Sequence, residues 1–265
     1  MADRLQYARG ALAPADAAAE ANEADLLATG EGFFETLLVG EGVIRNVDAH
    51  ADRFLATAAR LELDVTESRA QLLAAAVTVA SSARAPWSRL RITAFVGNGA
   101  AEVMVSTAPY VPPSLTANVH GVSVRLARSA GIRRDDSSRQ VKSLAWRREG
   151  ESLLRDSSGA YDVLLLNDEG RLAEGARTNV VVRCGSAAVT PPLDEGCLPG
   201  TVRERLLRSG VVREGVVDLP RILSGGEVAL TNSLIGVLPV SHVDDSSCEV
   251  LGLADELRAV LEAPQ

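Results

Sequence analysis

This chain of 265 residues has almost no lysine: Lys142 stands alone against 26 arginines. Aromatic residues make up 3%, and there are three cysteines and three histidines. Each scarcity removes a class of function. Cys184, Cys197 and Cys248 show neither a CxxC pair nor Cys/His ligand spacing. That argues against a disulfide framework and against a metal site, and leaves the three as small buried apolar residues. A net charge of −8 and a pI near 5.0 repel a phosphate backbone. So few aromatic rings also leave little surface for stacking bases, so nucleic acid is excluded as a partner. No apolar run approaches the roughly 20 residues of a membrane helix. No basic-then-apolar leader opens the chain. The expectation is a cytoplasmic protein with no membrane contact, whose 46% hydrophobic content can bury one large or two small cores.

The solitary lysine has two readings. A drift from lysine to arginine costs little at the surface, where both are solvated cations, but it cannot replace a lysine that must act as an amine. Arginine stays protonated at any workable pH, whereas a desolvated lysine can lose its proton and attack a carbonyl. Lys142 is therefore either a covalent amine or a leftover in the arginine-rich stretch that includes Arg133, Arg134, Arg139, Arg147 and Arg148. Composition alone leaves both open.

Residues 11–28 are alanine-rich and acidic, and suit a short exposed helix or a mobile arm. After Gly30-Glu31-Gly32, the segment Phe33–Val39 reads as a strand. Gly40-Glu41-Gly42 then turns it into Val43-Ile44-Arg45. Asp48 can cap a helix bearing Phe54, Ala58 and Leu61, and a second helix spans about 68–82. Alternation at Leu90, Ile92 and Ala94, and again at Val103 and Val105, makes a second hairpin around Gly97-Asn98-Gly99. Pro109-Tyr-Val-Pro-Pro-Ser114 can be neither helix nor central strand. The expected division is residues 1–110, a linker at 111–116, and a second domain at 117–265 carrying Lys142. In that second half 122–126, 162–166, 179–183 and 227–230 read as strands, and 142–157, 200–209 and 252–262 as helices. Both halves mix α and β.

Five blocks in order carry a resemblance: Gly30-Glu-Gly-Phe-Phe-Glu-Thr36 with His50-Ala-Asp-Arg53, Lys142-Ser-Leu-Ala-Trp146, Glu174-Gly-Ala-Arg-Thr-Asn179, Leu198-Pro-Gly-Thr-Val-Arg203, and Thr231-Asn-Ser-Leu234 with Leu238-Pro-Val240. Over residues 28–242 the chain resembles the fold-type IV pyridoxal-phosphate enzymes: branched-chain aminotransferases, D-amino-acid aminotransferases and, nearest, 4-amino-4-deoxychorismate lyases. The resemblance implies a two-domain α+β fold, pyridoxal 5'-phosphate in the cleft between domains, a small-molecule substrate, and a homodimer that completes the site. Lys142 then corresponds to the lysine that bonds the cofactor aldehyde and shuttles a proton. Glu174 corresponds to the carboxylate on the pyridine nitrogen. Arg53, Ser233 and the backbone N–H groups of Thr201 and Val202 correspond to the phosphate contacts, the last two at a helix N-terminus.

Two positions depart from the pattern. Gly200-Thr201-Val202-Arg203 carries its hydroxyl one residue earlier than the usual Gly-Ile-Thr-Arg. Trp146 stands near where relatives place a tyrosine on the cofactor's ring oxygen, leaving Asn179 or Tyr161 to replace it. On the substrate side the resemblance points to Thr36, Arg91 and Leu234. Thr36 matches a threonine of the lyases, and Arg91 a strand arginine that meets a substrate carboxylate in branched-chain enzymes. The expected activity is release of pyruvate and 4-aminobenzoate from 4-amino-4-deoxychorismate, a step of folate precursor synthesis. The alternative is a branched-chain or D-amino-acid aminotransferase.

Overall fold

The computed structural model describes residues 5–97 and 100–263. The chain divides into two compact units. One comprises Met1–Pro112 with Lys142–Arg148, and the other Pro113–Val141 with Glu149–Gln265.

In the first unit β1 (Leu5–Ala8) and β2 (Ala11–Pro14) form a hairpin, followed by α1 (Ala17–Thr29). The alanine-rich arm therefore has regular structure, because β1 extends a sheet that offers it hydrogen-bonding partners. Strand β3 (Glu31–Gly40) turns into the short β4 (Val43–Ile44). Helices α2 (Val47–Arg60) and α3 (Arg69–Ser81) come next, then the long strands β5 (Trp87–Gly97) and β6 (Ala100–Pro109). The sheet order is β2-β1-β6-β5-β3-β4. The expected turn residues Asn98 and Gly99 lie outside the described residues.

Alternation along β3 sends Phe33, Glu35 and Leu37 to one face and Phe34 and Thr36 to the other. Phe33 meets Phe54 of α2 at a ring separation of 4.8 Å. Helix α2 is not capped by Asp48. Its N-cap is Asn46, held in the left-handed region at φ 52°, and Asp48 instead accepts a bond from Arg69. Helix α3 carries a capping box, Ser68 with Gln71, which fixes its start.

The second unit opens with α4 (Leu115–His120), capped by Ser114. Strand β7 (Val122–Ile132) and α5 (Leu144–Arg155), whose residues up to Arg148 belong to the first unit, precede β8 (Asp162–Asn167), β9 (Leu172–Gly175), β10 (Asn179–Cys184) and β11 (Ala187–Thr190). Then follow α6 (Thr201–Arg208), β12 (Val212–Glu214), α7 (Leu219–Leu223), β13 (Val228–Asn232), β14 (Gly236–Val243) and α8 (Leu253–Glu262). The sheet runs β12-β11-β10-β13-β14-β7-β8-β9, with a two-residue strand appended to β14.

Both faces of this sheet are buried. Val180, Val182, Val228, Leu230, Leu238 and Val240 pack on one side with Leu164, Leu166 and Ile222. Their neighbours Val181, Ala229 and Val237 pack on the other, against Val202 and Leu206 of α6 and Leu253 and Leu257 of α8. Two-sided burial explains the unbroken apolar run of β8, every residue of which is buried. It also hid several short strands, since β9, β11 and β12 have too few residues to show a period.

The expectation for the cysteines is corrected. Only Cys197 is fully buried, while Cys184 and Cys248 are half-buried, and all three are free thiols. The segment around Lys142 groups with the first unit and not with the second. Phe34 N–H donates to the Lys142 carbonyl at 3.0 Å, and Phe33 bridges to Ser143. Leu144 is fully buried with Leu27, Phe34, Phe95 and Met104. Lys142 and Phe34 are more than a hundred positions apart, a pairing that local periodicity cannot report. Among the described residues no helix is long and apolar enough to cross a membrane.

Candidate active site

The first unit gathers three of its four candidate residues, Thr36, Arg91 and Lys142, at one face of β3 and β5. Lys142 lies just before α5, whose first turn is capped by Ser143 Oγ accepting from Trp146 N–H at 3.1 Å. The cap and the Phe34 backbone bond fix the lysine from both sides. Arg148 adds a bond from Nη1 to the Gly30 carbonyl at 2.8 Å, so this arginine anchors the start of the helix and is not a surplus surface charge.

The Lys142 Nζ stands 5.0 Å from the centroid of the Phe34 ring, and the guanidinium of Arg91 stands 5.3 Å from the same centroid. Arg91 is 6% exposed. Its partner in the β3–β5 register is Thr36. Lys142 and Arg91 thus lie about one aromatic ring, with Thr36 paired to Arg91 in the sheet.

Arg53 lies on α2 and meets the other face of β3. Its Nε and Nη2 donate to Glu35 Oε1 and Oε2, both at 2.6 Å. His50 Nδ1 lies 2.6 Å from Glu35 Oε2. Burial pushes the Glu35 carboxyl up, but the charge of Arg53 and the bonds from His50 and Arg53 outweigh it and hold it at about 2. An ionised carboxylate only accepts, so Nδ1 carries the hydrogen. Sequence reasoning passed over Glu35. The available signal was a charged residue in the middle of the apolar run Phe33–Val39.

The second unit holds the remaining candidates. Glu174, on β9, is 4% exposed. Its Oε1 accepts from Arg139 Nη2 at 3.1 Å and its Oε2 from Leu198 N–H at 2.9 Å. Asn179 opens β10 and donates from Nδ2 to the Leu198 carbonyl at 2.8 Å. Two candidate residues therefore clamp the two polar groups of Leu198, and with them the approach to α6.

The loop between Glu174 and Asn179 is itself tied down. Thr178 Oγ1 donates to Asp162 Oδ2 at 2.6 Å, and Val163 N–H donates to Asp162 Oδ1 at 2.8 Å. Burial lifts the Asp162 carboxyl to about 6 despite these bonds. Gly175 is required beneath it, since a Cβ there would come within 2.6 Å of Asp162 Oδ2.

At the start of α6 the displaced hydroxyl has its own role. Thr201 Oγ1 lies 3.1 Å from Ser233 Oγ, so two hydroxyls converge at the helix N-terminus. Val202 turns into the core with Val181 and Leu206. Gly200 has no room for a side chain, because a Cβ would lie 1.9 Å from Asn179 Oδ1. Ser233 and Leu234 occupy the turn from β13 to β14, where Asn232 Oδ1 accepts from the N–H groups of Leu234 and Ile235 at 2.9 and 3.0 Å. Of the residues weighed in place of a ring-oxygen tyrosine, Asn179 spends its amide on Leu198, and Tyr161 lies under the Arg177 guanidinium at 4.6 Å.

Residues 32–243 match the family model described as amino-transferase class IV. An aminodeoxychorismate lyase of Saccharomyces cerevisiae is 40% identical over 82 residues, 29% of this chain and 22% of that protein. A probable branched-chain-amino-acid aminotransferase of Thermotoga maritima is 29% identical over 166 residues, 60% of this chain and 58% of its own length. Both matches span less than two thirds of the relative's own length. An aminodeoxychorismate lyase of Bacillus subtilis is 24% identical and spans 82% of this chain and 78% of that one. Among solved structures, a branched-chain aminotransferase from the thermophilic archaeon Thermoproteus uzoniensis, with norvaline, superposes with a TM-score of 0.82 at 19% identity. The match covers 98% of this chain and 95% of that one.

Proposed function

From the premise that this chain belongs to the amino-transferase class IV family, we propose that it is a lyase releasing pyruvate and 4-aminobenzoate from 4-amino-4-deoxychorismate. Membership makes it a pyridoxal-phosphate enzyme of the fold-type IV class. Bound pyridoxal phosphate supplies an aldehyde that condenses with amines and a ring that accepts the electron pair left by a departing proton. The donor set fits that group. An amine stands at Lys142, a buried carboxylate at Glu174, and two converging hydroxyls at the N-terminus of α6 behind a glycine that admits no Cβ.

In this reading Lys142 binds the aldehyde. Its amine would take the proton from the substrate ring carbon that bears the amino group and return it to the enolpyruvyl methylene as the C–O bond breaks. Glu174, held by Arg139 and Leu198, would sit against the pyridine nitrogen and keep it protonated. Thr201, Val202, Ser233 and Arg53 hold the phosphate. Arg91 binds a substrate carboxylate through its fork, with Thr36 opposite it and Leu234 as a further substrate contact. The same reading takes the protein as a cytoplasmic homodimer acting in folate precursor synthesis.

The observation that carries the lyase reading is Thr36, the position that matches a threonine of the lyases, paired with Arg91 across β3 and β5 in the unit that carries Lys142. The lyase of Bacillus subtilis supports it by matching along most of both chains. Burial of Arg91 also favours a second reading, a branched-chain or D-amino-acid aminotransferase, which needs a keto acid as second substrate.

The deciding test incubates the cofactor-loaded protein with 4-amino-4-deoxychorismate and no keto acid. Pyruvate and 4-aminobenzoate are expected in equal amounts, and Lys142→Ala is expected to release neither. Absence of pyruvate, with amino transfer on adding a keto acid, replaces the lyase with the transaminase.

A further inference from the structure

Glu35, His50 and Arg53 form a charge cluster of graded exposure. The side chain of His50 is 0% exposed, that of Glu35 2%, and that of Arg53 15%. His50 and Arg53 are three residues apart and share one face of α2, while Glu35 reaches them from β3. Arginine on a helix surface ordinarily samples many rotamers. Here Nε and Nη2 donate to the two oxygens of one carboxylate, a fork that fixes the plane of the guanidinium. The carboxylate cannot swing away, because His50 grips Oε2 from the fully buried side. Arg53 is the member that reaches outward, so the cluster has the form of a mount for it.

The charges of Glu35 and Arg53 cancel, and the mount therefore adds direction to Arg53 and no net positive field. We infer that Glu35, seated by His50, is a positioning residue that aims Arg53 at the cofactor phosphate and so sets how strongly the enzyme prefers the phosphate-bearing aldehyde over the same aldehyde without phosphate. This rests on the reading of Arg53 as a phosphate contact. It goes beyond that reading by assigning the discrimination to the fixed direction of the guanidinium rather than to its charge alone.

The test measures dissociation constants of pyridoxal 5'-phosphate and of pyridoxal for the full-length protein stripped of cofactor, by equilibrium absorbance titration. The readout is their ratio. Misorienting one charge-assisted hydrogen bond weakens binding by about tenfold. Glu35→Gln is therefore expected to lower the preference by about that factor while leaving the pyridoxal constant unchanged. In an Arg53→Gln background the same substitution is expected to leave the ratio unmoved. Equal weakening of both ligands, or an intact ratio, overturns the inference and leaves Arg53 as a phosphate contact. A ratio that Arg53→Gln itself does not alter overturns the phosphate reading as well. Should Glu35→Gln not fold, Glu35→Asp carries the same test, since it keeps the charge and withdraws the carboxylate by one methylene.

Discussion

Glu35 in the first unit and Asp162 in the second are hidden from water to the same degree, at 2% and 0% exposed, yet their carboxyls move in opposite directions. Burial pushes both up. Against it, Glu35 has the Arg53 charge and bonds from His50 and Arg53, and it ends at about 2. Asp162 has mainly the Thr178 hydroxyl and a backbone N–H, and it ends at about 6. Desolvation sets the penalty, and the charge of the partner decides whether it is overcome. At these two sites the first unit builds with ion pairs, the second with neutral donors and closely fitted space.

That contrast can be broken at several points. The largest effect is expected from Glu35→Ala, which removes the buried carboxylate that Arg53 and His50 share and costs about 3–5 kcal/mol, read from the denaturant midpoint. A loss under about 1 kcal/mol removes the claim that the cluster is strongly coupled.

The pH dependence sharpens the same comparison, with opposite signs. Glu35 has a folded pKa below its unfolded value of 4.5, so its contribution of about 3 kcal/mol is present above pH 4.5 and is lost as pH falls toward 2. Asp162 has a folded pKa above its unfolded 3.8, so the native state loses up to about 3 kcal/mol as pH rises from 3.8 through 6. Asp162→Asn removes the second loss. The variant is expected to match the parent near pH 3.5 and exceed it at pH 7 in urea unfolding. A variant weaker at both values means that the ionised acceptor matters more to the loop than its burial.

Space is the weak point of the second unit. Gly200→Ala drives a methyl into Asn179 Oδ1 and displaces the Leu198 clamp. The expected result is about tenfold weaker binding of pyridoxal 5'-phosphate, the worth of one charge-assisted hydrogen bond. Unchanged affinity separates the clamp from the phosphate site. The smallest effect belongs to Arg69→Ala. Its ion pairs with Asp48 and Asp52 are solvated, so the midpoint is expected to stay within error.

Much of this was legible beforehand, for reasons that differ by residue. Strand β3 and the β5–β6 hairpin announce themselves by alternation, and α3 by its apolar spacing. Lys142 stands out because the rest of the chain has no lysine. Glu174, Asn179 and Ser233 stand out through their blocks. Asp162 and the partner role of Arg139 are not legible in the sequence, since a single acid ahead of an apolar run and one arginine among many carry no period.

The amino-acid sequence by itself determined the mixed α and β character, the amine at Lys142 and the family, because side-chain chemistry and spacing are local properties of the chain. Only the tertiary structure decided that Lys142 groups with the first unit, that it shares the Phe34 ring with Arg91, and that Glu35 grips Arg53. It also decided that Thr201, one place early, meets Ser233. Each of these joins residues well separated in the chain, and their pairing is fixed by sheet register and packing, which no local pattern encodes.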